Sequence, residues 1–134
     1  MSLMKVFNIS GGAVSAQSQR LNVVASNLAN ADALAGPDGQ AYKSRQVVFQ
    51  TQATADGSAG VKVASIVEDN APARRVYEPA HPMADQDGYL TQSNVNVVEE
   101  MVIMISASRS YQNNVEVMNT ARQLLQKTLQ MGQG

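Results

Sequence analysis

The last third of the chain, Val95 to Leu129, contains neither Pro nor Gly and repeats its apolar residues at heptad spacing. With Met101 at position a, the a row is Met101, Ser108, Val115, Arg122 and Leu129, and the d row is Val97, Met104, Tyr111, Met118 and Leu125. Only Ser108 and Arg122 interrupt this seam, and Ala107 and Ala121 keep its edge apolar. Asn96 with Glu99 gives a capping-box-like start, and Lys127 followed by Gly132 gives a stop. One helix of this length spans about 50 Å, longer than the core of a compact small domain. Its stripe must be buried against something equally elongated.

The remainder of the 134 residues cannot build a large core, because aromatics make up only 4% and Trp is absent. Small Ala, Val and Met do the packing, and the chain is expected to be marginal alone. Ten basic against 11 acidic residues leave neither a nucleic-acid footprint nor a polybasic membrane patch. MVIMI at 101 to 105 is the longest strongly apolar block, far short of a membrane span. No Cys is present, which removes disulfides and thiol chemistry. Lys5 and the VFNISGGAVSA that follows outline a signal peptide, but Asn8, Ser10 and two glycines break its apolar region, so cleavage is not expected.

A second heptad repeat runs from Val6 to Leu28. Phe7, Val14, Leu21 and Leu28 occupy one seam position, and Gly11, Ser18 and Ala25 the other. Alternating large and small residues suit a close approach of two helices. Gly11 and Gly12 leave two starts open, one before them and one after, but Ala13 to Leu28 is helical in either case. Asn22, Asn27 and Asn30 read either as helix-end residues or as a row of amides bonding across an interface. After Asp32 the pattern changes. GPDG at 36 to 39 is a turn, and Tyr42 to Gln50 and Val61 to Glu68 alternate as the two strands of a hairpin. RRVY at 74 to 77 adds a short third strand before Pro79 and Pro82. The expected fold is mainly α with a small β module: an N-terminal helix in 1–31, a β and loop module in 32–92, and a C-terminal helix in 93–134.

Chemistry is hard to find. His81 is the only His, so a two-His metal site is excluded. The Asp85-Gln86-Asp87-Gly88 segment fails as a calcium loop, because its first ligand position falls on Met83. Glu99 and Glu100 are adjacent on a helix and point in different directions. Neither a phosphate-binding loop nor a nucleophile elbow occurs. The residues indicate no enzyme, no cofactor and no metal.

Three segments carry a resemblance: RLNVVASNLANADA from Arg20, YEPAHPMADQDGYL from Tyr77, and SNVNVVEEMVIMISASRSYQNNVEVMNTARQLLQKTLQMG from Ser93. Together and in this order they resemble the bacterial flagellar axial proteins, most closely the proximal rod proteins of the basal body. The first and last segments are shared across rod, hook and hook-associated proteins, and His81-Pro82 with the short length points to the proximal rod. The resemblance implies N- and C-terminal helices paired in a coiled coil, export by the flagellar type III apparatus without signal cleavage, and assembly in the periplasm with copies of itself and other rod proteins. Carried over by position, it implies a subunit interface at Leu21, Asn22, Asn27, Leu28 and Asn30, and at Asn94, Asn96, Glu100, Met101, Met104, Tyr111, Asn114, Leu125 and Leu129. The seams add Phe7, Gly11, Val14, Ala25, Val115 and Met118. Another axial or junction subunit, or a soluble coiled-coil adaptor or export chaperone, are the alternatives.

The helices agree with the resemblance on one point. The shorter N-terminal helix leaves more than about 10 Å of the C-terminal seam uncovered, and neighbouring subunits must cover it.

Overall fold

The structure, a computed structural model, describes residues 2–133. Helix α1 (Leu3–Ala29) starts at Ser2, whose hydroxyl accepts a hydrogen bond from the Lys5 amide at 3.2 Å. It runs unbroken through Gly11 and Gly12, which decides between the two starts. A Cβ on Gly11 would lie 3.6 Å from Met118 Cε, and one on Gly12 would lie 3.5 Å from the Val61 carbonyl oxygen. Both distances are ordinary van der Waals contact, so the glycines lie where neighbours pack on two sides of the helix, at roughly 1 kcal/mol each against Ala. Asn30 ends α1 at φ −106°, outside the left-handed region, and its side-chain amide donates to the Ser26 carbonyl at 2.8 Å.

Strands β1 (Arg45–Ala53) and β2 (Ala59–Glu68) form an antiparallel hairpin with a bulge at Val48/Phe49. It lies along α1 over its whole length. Arg45 meets Asn27 at one end, the Arg20 guanidinium stacks 5.1 Å from the Phe49 ring centre, and Lys5 pairs with Asp56 of the hairpin tip at 3.6 Å. The short third strand expected at 74 to 77 is present as β3 (Arg75–Tyr77), apart from this hairpin. It pairs instead with β4 (Tyr89–Thr91) in a separate two-stranded sheet. The loop between them can close because Gly88 takes φ +86°, and a Cβ there would come within 2.9 Å of Tyr77 Cε2.

Helix α2 (Val97–Gln133) starts at Asn96, whose side-chain oxygen accepts from the Glu99 amide at 3.2 Å. It does not stop at Gly132, which stays helical without a positive φ. The two helices are antiparallel: Asn27 meets Glu100 at one end, and Phe7 meets Ala121 and Leu125 at the other. With 27 residues in α1 and 37 in α2, about 15 Å of α2 has no partner helix in the chain.

The face of α2 that packs on α1 is rotated from the one the heptads indicate. Val97, Tyr111, Met118 and Leu125 of the d row and the row one residue before a, namely Glu100, Ala107, Asn114 and Ala121, turn inward, while Met104 of the d row is 38%, Met101 48% and Leu129 60% exposed. Small alanines let α1 approach on that side. The seam on α1 is likewise displaced. Ser10, Ala16, Val24 and Asn27 are buried, and Ala25 is exposed.

Candidate assembly interface

Where α1 ends and α2 begins, side chains far apart in sequence converge on Asn27. Its amide group donates to the Arg45 carbonyl at 2.8 Å and to Glu100 Oε2 at 3.1 Å. Its oxygen accepts from Tyr42 Oη at 2.8 Å and from the Arg45 amide at 3.0 Å. Asn27 is 0% and Glu100 3% exposed, so both are sealed inside the subunit. The other oxygen of Glu100 accepts from Gln46 Nε2 at 3.0 Å. Two amide donors and the positive end of α2 thus hold the buried carboxylate, with no ion pair to it among the described residues.

Asn94 and Ser93 extend this junction. The Asn94 side chain accepts from the Ser44 amide at 2.6 Å and donates to the carbonyls of Asp69 at 2.8 Å and Ala71 at 3.0 Å. Ser93 donates to the Ala31 carbonyl at 2.6 Å, and Arg74 reaches the same carbonyl and Asp32. Both hairpins and both helices are therefore tied at one end of the molecule. Asn27, Asn94 and Glu100 are brought together here, but the partners of their polar atoms lie within the chain. Tyr42, Ser44, Gln46 and Ser93 complete the junction and carry no sequence signal, because their bonds join segments separated by loops.

The other sequence-indicated residues fall outside it. Phe7, Val14, Leu21, Leu28, Tyr111, Val115, Met118 and Leu125 are half-buried along the helix pair, with Gly11 opposite Met118. Asn30 caps α1, and Asn114 bonds back to the Ser110 carbonyl at 2.8 Å, as helix-surface Asn commonly does. Asn22, Ala25, Asn96, Met101, Met104 and Leu129 are exposed.

The most distinctive surface is on the first turns of α2, directly opposite the face that meets α1. Val98, Met101, Val102 and Ile105 follow one another at helical spacing and are 70%, 48%, 61% and 52% exposed. Among the described residues no carboxylate cluster gathers as a metal site, and no helix is long and apolar enough to cross a membrane. His81 is a loop residue whose Nδ1 accepts from the Met83 amide at 3.0 Å.

Two family models match the ends of the chain. One, described as "Flagella basal body rod protein", covers residues 7–36, and the other, "Flagellar basal body rod FlgEFG protein C-terminal", covers 86–131. The chain is 58% identical over 135 residues to the flagellar basal-body rod protein FlgC of Escherichia coli, with 99% of this chain and 100% of the relative covered. The FlgC proteins of Yersinia enterocolitica and Salmonella typhimurium are 58% and 56% identical over 134 residues at the same coverage. The chain belongs to the FlgC family of flagellar basal-body rod proteins and is a structural subunit of the rod rather than an enzyme.

Proposed function

We propose that the subunit polymerises through its terminal helices, beside copies of itself and other rod proteins, into a shaft that transmits torque and encloses the export channel. One observation carries this reading: α2 presents Val98, Met101, Val102 and Ile105 on the side away from α1. A helix apolar on opposite faces needs cover on both, and this chain covers only one. A neighbouring subunit supplies the rest.

In this reading the contact surface is the outer face of α2 with Met104 and Leu129, together with Asn22, Ala25 and Asn96. Leu21, Leu28, Tyr111 and Val115 form its half-buried margin. Phe7, Gly11, Val14, Asn30, Asn114, Met118 and Leu125 support it from the helix pair, and Asn27, Asn94 and Glu100 fix the angle at which it is presented. Residues 1–31 and 93–134 act as the polymerising arms, and 32–92 as the module docked on them. The flagellar type III apparatus exports the chain without signal cleavage, and assembly takes place in the periplasm.

The chain has no cysteine, so a single introduced one reports its own surroundings. Val102→Cys is expected to react with a maleimide in the free subunit and to be protected in isolated basal bodies, while Ser15→Cys on α1 controls for reagent access. Equal labelling of Val102→Cys in both states would count against burial of this face.

A further inference from the structure

The two ends of the molecule differ in charge and shape. At the end where α1 starts, Arg122 and Lys127 are exposed on α2, and neither pairs with a described acidic residue. At the other end Glu78 and Asp87 lie on the loop joining β3 to β4, exposed and equally unpaired. Beside the loop, Arg74 is neutralised by Asp32 and Arg75 by Asp85, while Lys43 and Arg45 at the junction are exposed and unpaired among the described residues. The β3–β4 loop itself is left acidic, and the end where α1 starts is left basic.

The basic end holds an apolar cleft of about 200 Å³ lined by carbon atoms of Leu3, Met4, Phe7, Ala121, Arg122 and Leu125. The other end holds the acidic loop, with Met83 55% exposed. That loop is already shaped. Asp85 accepts from the amides of Asp87 and Tyr89, both at 2.9 Å, and the Tyr77 and Tyr89 rings pack at a 60° tilt with centres 5.1 Å apart. A segment fixed before contact loses little conformational freedom on docking.

We propose that the cleft at the basic end receives the acidic Glu78–Gly88 loop of a second copy of this chain, set head to tail, with Met83 entering the cleft and Glu78 and Asp87 facing Arg122 on its rim. Charge complementarity selects which end meets which, and the apolar insertion holds the contact. A loop on one end and a cleft on the other make a heterologous contact that repeats along an axis. The proposal rests on the rod reading and names a contact within it.

The test uses full-length Met4→Cys and Met83→Cys subunits with tags of different size, mixed and oxidised at low salt. The mixed disulfide should exceed either same-site disulfide by roughly tenfold and fall at high salt. Arg122→Glu in the Met4→Cys subunit should abolish the excess, and Glu78→Lys with Asp87→Lys in the Met83→Cys subunit should restore it. Equal yields of the three disulfides, or a charge exchange that restores nothing, overturns the contact. Each variant is also scored for entry into basal bodies. A subunit that enters the rod yet forms no excess mixed disulfide sinks the loop-in-cleft contact while leaving the rod reading intact.

Discussion

Replacing Val102 and Ile105 together with aspartate is expected to leave the subunit folded and to exclude it from the rod. Both side chains are more than half exposed in the single chain, at 61% and 52%, so the change should alter its own stability by no more than about 0.5 kcal/mol for each. The assembled state is different. A carboxylate forced into an apolar contact loses its hydration without a partner, which costs several kcal/mol, and every tenfold in affinity corresponds to about 1.4 kcal/mol. Incorporation should fall by roughly a thousandfold or more. Circular dichroism and a thermal melt check the fold, while swimming in soft agar and immunoblots of isolated basal bodies check assembly. A normal rod with both aspartates would mean that this face of α2 meets water.

Asn27→Ala should have the opposite profile and damage the subunit itself. The truncation removes all four hydrogen bonds of the amide and leaves Glu100 Oε2 and the Arg45 peptide without those partners. Losing bonds to a buried charge and leaving buried groups unpaired should cost about 3–5 kcal/mol. For a chain of this size that lowers the melting temperature by roughly 10–20 °C. Because Asn27 and Glu100 bond directly at 3.1 Å, their alanine substitutions should not be additive. The double substitution should be milder than the sum by about 1 kcal/mol or more, since removing Glu100 removes the charge that Asn27 was satisfying. Strict additivity would show that the two side chains do not act as one unit.

The sequence makes both helices legible because their apolar repeats span many turns, and the first hairpin because its strands alternate on either side of a Gly-containing loop. The register of the helix pair is a different matter. A heptad count puts Met101 in the seam and leaves Glu100 outside it, yet Asn27 and Gln46 draw Glu100 inside and Met101 turns outward. Those donors lie 73 and 54 residues away, beyond any local pattern. Strand β4 is invisible for another reason. Three residues, Tyr89 to Thr91, are too few to show alternation, and only pairing with β3 makes them a strand. The asparagines could be read as important but not as inward or outward facing, since one residue type serves equally well as cap, surface group or buried tie.

The central claim is that α2 is held on one face within the subunit and on the opposite face by its neighbours. A side-chain-resolution density map of the isolated basal body tests it most directly. The account predicts apolar side chains of a neighbouring subunit within about 4 Å of Val98, Val102 and Ile105, with the Asn27–Glu100 bond intact inside each subunit. A map in which these residues face open solvent or the channel, or in which Glu100 bonds across to another chain, would contradict it.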